Sequence, residues 1–439
     1  MFGWNLAEKI FDGFTILRWT DMIRPIEYVE LDKHALNSVL TYLIGKEYEE
    51  KTGKTLNWYE MVTYNIVSYL ANIATSDIKA PVRSFIQEES KLDWNNYILQ
   101  SYYSKENQQF YHLNDFIEKE EFESYLKYLE KENVESKIID FAHKYVTYRE
   151  YTQIQQFNLN AVDKDAVQTQ IGDVVSKIAQ STDETLQSIL KKIREKSSNL
   201  FQLYIYFEKL RPQTRWAQTC RMPSTSVLGH SMFTAVLTYL TIKGLNIEKE
   251  FANDYLVNNF YASLFHDLPE SLTRDIISPI KNKIENLKTL LARYEYRIVK
   301  ETMLDRLDSK WKNEFEQLLG VKAERHSGKT IYVFEPFDDR TNKPPYVFGK
   351  LIKVMDLIAA FMEAKKSVDV GVTSMELQKG IKSTQTKLLE YEPIKYEKAE
   401  KTLYVNSFLA TIPHYAISEI SEEDKDDKKN KSVSGGTAV

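Results

Sequence analysis

Apolar side chains recur at helical spacing along most of this chain. Leu31, Ala35, Leu36, Val39, Leu40 and Leu43 predict a helix over 31–46. A second helix is expected from Tyr59 to about Ala74, after a short loop at 54–58. Residues 1–24 read as a lead-in helix ending near Arg18-Trp19. The pattern breaks at 77–81, where Pro81 fixes its own backbone and restricts Ala80. Residues 90–160 are polar and aromatic with a helical period, as at Phe122, Tyr125, Leu126 and Leu129. Amphipathic helix continues through Ile171, Val174, Val175 and Ile178, and again through Leu186, Ile189, Leu190 and Ile193. Thr182-Asp183-Glu184 supplies a helix start between those two runs. Two strongly apolar helices follow, over 228–242 and 250–268, then a charged helical stretch over 282–320. Residues 332–336 and 344–347 read as extended or turn-like, and a further helix spans 347–366. The sum is an all-α fold.

The pattern repeats. Arg18-Trp19 recurs 197 positions later as Arg215-Trp216. Val39-Leu40-Thr41-Tyr42-Leu43 recurs at the same offset as Val236-Leu237-Thr238-Tyr239-Leu240. Asp77, Pro81 and Arg83 are matched 198 positions later by Asp275, Pro279 and Lys281. The period is far longer than that of a solenoid, so it reads as two copies of one domain. The copies differ in their chemistry. His230 falls on Lys33, His266-Asp267 on Ser68-Tyr69, and Glu270 on Asn72.

Composition narrows the class. Only 14 glycines and 11 prolines in 439 residues favour helix, and 43% apolar residues suffice for sizeable cores. The net charge of −5 provides no global positive field for nucleic acid or acidic membranes. Cys220 is the one cysteine, so no intrachain disulfide forms, which suits a reducing cytosol. The first residues lack a signal-peptide pattern, and no run approaches the roughly 18 apolar residues of a membrane span. A soluble cytoplasmic protein is expected. Residues 421–439 have the composition of a disordered, solvated tail.

Four residues form a candidate metal constellation. His230 lies in one apolar helix, and His266 and Asp267 are adjacent near the end of another. Neighbours on a helix point about 100° apart, so both reach one metal only at a helix end or in a groove between helices. Asp356 is a lone carboxylate in the apolar run Val354-Met355-Asp356-Leu357-Ile358. Burying it unpaired is costly, and a cation would offset that cost. Singly, each residue has an ordinary explanation as a packed histidine or a hydrogen-bonded aspartate. Taken together and in this order, they point to a metal.

His…His-Asp…Asp resembles the HD superfamily of metal-dependent phosphohydrolases. The closer resemblance is to bacterial 5′-deoxynucleotidases, which share an Arg-Trp, a Ser-Val-x-Glu-His-Ser segment, His-Asp-x-x-Glu and Asp-x-x-x-Pro-x-Lys. This chain has Arg215-Trp216, Ser226-Val227-Leu228-Gly229-His230-Ser231, His266-Asp267-Leu268-Pro269-Glu270, and Asp275 through Pro279 to Lys281. The resemblance spans roughly residues 200–370. It implies His230, His266, Asp267 and Asp356 as metal ligands, with Glu270 handling the proton of the attacking water. It implies Arg215 on phosphate, Trp216 against the sugar, Asp275 on a sugar hydroxyl, and Lys281 among the substrate contacts. The implied cofactor is a divalent ion: Mn, Fe, Co, Ni, Zn or Mg. Gly229 departs from the family pattern, which has Glu there, and this bears on the substrate contacts.

The expected architecture is therefore two HD-like helical bundles in tandem. Residues 1–160 are the degenerate copy, 161–210 connecting helices, 211–420 the catalytic domain and 421–439 the tail. The expected reaction is hydrolysis of a small nucleotide, a (deoxy)nucleoside 5′-monophosphate, to nucleoside and phosphate. The rivals are a nuclease, a cyclic-nucleotide or nucleoside-triphosphate hydrolase, and a nucleotide-sensing protein without turnover. Nucleic acid is a partner only under the first rival. Because the resembling enzymes are dimers, the degenerate copy is expected to serve as a built-in partner, in a monomer with an internal pseudo-dimer or in a homodimer. No Gly-rich phosphate loop is present, so ATP-driven work is not expected.

Overall fold

The computed structural model describes residues 1–413, apart from 77, 79, 161–163, 246–248, 275–286, 308, 327–328, 342–343 and 397–400. Asp275, Lys281 and the tail over 421–439 thus lie outside the described residues. Helices dominate. Four longer ones in the N-terminal half are α1 (Glu30–Thr52), α2 (Trp58–Thr75), α3 (Val134–Ile154) and α4 (Lys164–Gln180). Four in the C-terminal half are α5 (Val227–Gly244), α6 (Lys249–Phe265), α7 (Gly349–Asp369) and α8 (Met375–Glu390). Shorter helices fill the intervals. The fold is all-α as expected, and two short antiparallel hairpins accompany the helices among the described residues, β1 (Val321–His326) with β2 (Lys329–Phe334), and β3 (Ile394–Tyr396) with β4 (Lys401–Leu403). Among the described residues, no helix is long and apolar enough to cross a membrane.

The helix ends follow local chemistry. Asn57, Ser226 and Ser374 accept the orphan N–H groups that open α2, α5 and α8. Gly53, in the left-handed region at φ 68°, closes α1. Asp183 caps the helix Glu184–Lys192, as its sequence signal predicts. The lead-in helix is shorter than expected: it spans Trp4–Phe11, followed by a 3-10 turn over Asp12–Phe14. Trp19, at φ 58°, then holds a backbone conformation that no helix can include.

The two halves pack alike. Within the first, α1 packs on α2 and α3, and α3 on α4; within the second, α5 packs on α6 and α7, and α7 on α8. Helix α4 lies on α3 as α8 lies on α7. Backbone details repeat as well. Leu17 bridges Val29, and Thr214 bridges Ser226. Arg18 N–H donates to the Tyr28 carbonyl at 2.8 Å, and Arg215 N–H to that of Thr225 at 2.9 Å. Trp19 and Trp216 share φ 58°, while Ser76 and Arg274 stand at φ 55° and 63°.

The halves do not hang side by side as separate beads. Helix α1 packs on α5 and α2 on α6, and one hydrophobic core runs from Phe2 to Phe408 through both. Every residue from Val227 to Ile242 in α5 is buried. A helix buried around its whole circumference needs apolar neighbours on all sides, and α1 supplies one of them.

Candidate metal centre and its surroundings

His230 projects from the first turns of α5, just after the Ser226 cap. Its Nδ1 lies 3.1 Å from Glu363 Oε1 and its Nε2 lies 2.9 Å from Asp356 Oδ1. His266 and Asp267 follow the last residue of α6, at the helix end that adjacent ligands require. His266 Nδ1 donates to the Ser263 carbonyl at 2.6 Å, which leaves Nε2 as its inward donor atom. Asp356 projects from α7. One ligand atom each from His230, His266 and Asp356 lies within 4.8 Å of the other two. Asp267 Oδ2 stands beside this trio, 3.3 Å from His266 Nε2 and 3.7 Å from Arg215 Nη1. Imidazole and carboxylate donors in this number, with both histidines oriented through Nδ1, fit a first-row divalent ion.

Burial sets the electrostatics. Burial works against the Asp356 charge, but Lys353 and His230 outweigh it and hold the carboxyl well below its ordinary range. Lys353 Nζ lies 2.6 Å from Asp356 Oδ2. Burial likewise opposes the Glu363 charge, and Arg215 and His230 overcome it. Glu363 is the hub that sequence reasoning missed. Its Oε2 accepts from Arg215 Nε at 3.2 Å and Trp216 Nε1 at 2.9 Å; its Oε1 meets His230 and accepts from Thr225 at 3.2 Å. It lies two turns beyond Asp356 on α7, so a helical-face reading of Asp356 extends to it.

The other expected residues fall around this centre. Arg215 bridges Glu363 and Asp267. Trp216 directs its indole N–H at Glu363, and a Cβ on Gly380 of α8 would sit 2.7 Å from its ring. Glu270 opens the short helix Glu270–Thr273, three residues past Asp267, and is 9% exposed. Gly229 does not face the centre. A Cβ there would meet Phe14 at 2.7 Å and Asp32 Oδ1 at 2.9 Å, both from the N-terminal half. The departure from Glu at 229 therefore concerns the seam between halves, not the substrate contacts. Asp32 instead accepts from the Ser226 hydroxyl, the cap of α5.

The matching place in the N-terminal half is filled differently. Trp19 Nε1 donates to Glu150 at 2.9 Å, as Trp216 does to Glu363, and Arg18 Nε donates to Glu150 at 3.1 Å. His143 precedes Glu150 by the spacing that separates Asp356 from Glu363. Lys33 stands in the place of His230. Its ammonium, Arg18, His34 and Asn72 all converge on Glu30.

Residues 202–411 match the family model described as 5′-deoxynucleotidase YfbR-like. That family is an HD-domain family, and the likeness is confined to this segment, a little under half of the chain. The matched segment contains His230, His266 and Asp356, together with Asp267, Glu270, Glu363 and the Arg215-Trp216 turn. No curated protein and no solved structure matches the chain.

Proposed function

We propose that the protein is a metal-dependent phosphohydrolase acting on a (deoxy)nucleoside 5′-monophosphate. The convergence of His230, His266 and Asp356 inside a YfbR-like segment carries this reading. Those three residues with Asp267 hold the ion, which when bound supplies Lewis-acid polarisation of a phosphoryl oxygen and acidifies water. Glu270 accepts the proton of the attacking water. As the water oxygen adds to phosphorus, the bond to the sugar oxygen breaks, and Glu270 returns the proton to that oxygen, so the nucleoside leaves as its alcohol. Arg215, its fork fixed by Glu363, offsets charge on the phosphoryl oxygens. Trp216, Asp275 and Lys281 complete the substrate side.

We also propose that the N-terminal half is a degenerate copy acting as a built-in partner. Its contacts with the catalytic half come in reciprocal pairs, the mark of an isologous interface. Tyr42 packs on Tyr261 at 4.8 Å between ring centroids, and at the equivalent places Tyr239 donates to Thr63 at 3.1 Å. Arg211 lies 3.9 Å from Asp32, while Phe14 faces Gly229 at the matching positions.

The test is elemental analysis of the purified chain, then a phosphate-release screen over nucleoside mono-, di- and triphosphates and oligonucleotides. Phosphate release from 5′-monophosphates, abolished in Glu270→Ala with metal content retained, is expected. A metal-loaded chain that releases phosphate from none of them overturns the reading.

A further inference from the structure

The centre is flanked by two cations of different standing. Arg215 is braced by a buried carboxylate outside the metal trio, Glu363, which is itself satisfied by four donors. Lys353 is not braced in this way. Its ammonium lies 2.6 Å from Asp356 Oδ2, on one of the three residues whose donor atoms converge. Its other contact is the face of Phe337, 4.3 Å from the ring centroid. Phe337 also backs His266, at 5.7 Å between centroids, so one aromatic wall sets both the lysine and the histidine. The Lys353 side chain is 27% exposed, against 0% for His230 and 1% for His266. It therefore reaches from the centre toward solvent, where a substrate must enter.

An ion held by Asp356 would neutralise the carboxylate that, among the described residues, pairs with Lys353, and would place like charge nearby. The ammonium then gains most from an anion at the mouth of the site, and its flexible four-carbon stem lets it turn there. We propose that Lys353 is a phosphate-gripping residue, released toward substrate when Asp356 takes a metal. This rests on the phosphohydrolase reading for its substrate, but inorganic phosphate tests it independently of turnover.

A lysine that only orients Asp356 makes the opposite prediction about the metal. In the full-length chain, Mn²⁺ affinity is read from free Mn²⁺ by electron paramagnetic resonance. Affinity of the Mn²⁺-loaded chain for inorganic phosphate is read by calorimetry. Lys353→Gln is expected to leave Mn²⁺ affinity unchanged or tighter and to weaken phosphate binding about 10- to 100-fold. Lys353→Arg, which keeps the charge, is expected to restore most of that loss, and it serves where the glutamine variant fails to fold. Unchanged phosphate binding in Lys353→Gln overturns the proposal. So does loss of Mn²⁺ affinity in both variants, which makes Lys353 a support for Asp356 alone. If phosphate binds through Lys353 yet no nucleotide yields phosphate, the nucleotidase reading fails and this one stands.

Discussion

Glu363 accepts or meets Arg215, Trp216, His230 and Thr225 from within the core, with a fully buried carboxylate. Removing its charge leaves Arg215 with Asp267 alone, at 3.7 Å, and weakens the hold on the Nδ1 side of His230. Glu363→Gln should destabilise the chain by about 3 kcal/mol or more, read from denaturant melts. It should also lower metal affinity about 10- to 100-fold, because His230 loses the group that orients it. Asp32 behaves in the other sense. Burial pushes its carboxyl up to about 6, with Arg211 and Ser226 only partly offsetting that. The folded chain therefore holds a proton there that the unfolded chain gives up near its ordinary value of 3.8. Stability from this group is greatest below that value and falls as pH rises toward 6. Asp32→Asn removes the titration, so the variant should gain on the parent between pH 4 and 6, by up to about 3 kcal/mol at pH 7. Urea melts across that range check it; a gain that does not grow with pH contradicts the assignment to Asp32.

At the level of elements, the sequence was most legible where a charge interrupted an apolar helix. Asp356 stood out in that way, and the His266-Asp267 pair implied the helix end that α6 provides. Glu363 carries the same signal in Phe361-Met362-Glu363-Ala364, on the same face of α7, but it shows only when the helix is followed two turns past Asp356. Lys353 gave no signal, since a lysine near a helix start is ordinary. The matches at Arg-Trp and Val-Leu-Thr-Tyr-Leu are legible because those residues hold like backbone turns and contacts between the two halves. Gly229 was legible as a departure, yet not in its meaning. His230 turns into the centre, so its neighbour points about 100° away, onto Phe14 of the other half. Only the packing of α1 on α5 reveals that. A side chain at 229 should then cost stability although Ala is the better helix former. Gly229→Ala is expected to destabilise by about 1–3 kcal/mol through the close contacts with Phe14 and Asp32. Phe14→Ala loses its own packing, but in that background the glycine substitution should cost little or turn favourable. A double-mutant cycle in urea reads the coupling, and additive effects would place Phe14 and Gly229 out of contact.

For the whole molecule, the question is whether the half that carries the proposed metal centre stands alone. Its central helix α5 is buried on all sides, and α1 covers one of them. The Ser226 cap that begins α5 donates to Asp32, and Phe14 fills the space at Gly229. Tyr261 and Phe265 of α6 lean on Tyr42 of α1, at 4.8 and 5.1 Å between centroids. Cutting the chain at the start of the family segment would bare all of these faces, since residues 1–201 contribute every partner named. Residues 202–439 expressed alone should therefore aggregate, or bind metal weakly, despite containing every proposed ligand. Co-expression with residues 1–201 should return a soluble one-to-one complex. The intact chain should run as a monomer with one metal, because Lys33 and Glu30 fill the matching place in the first half with a paired ammonium and carboxylate. Light scattering behind size exclusion gives the mass, and elemental analysis gives the metal count. A stable, metal-replete monomer of 202–439 would mean that the N-terminal half has some role other than partner. Two metals per intact chain would mean that the ion pair at Lys33 opens to admit a cation.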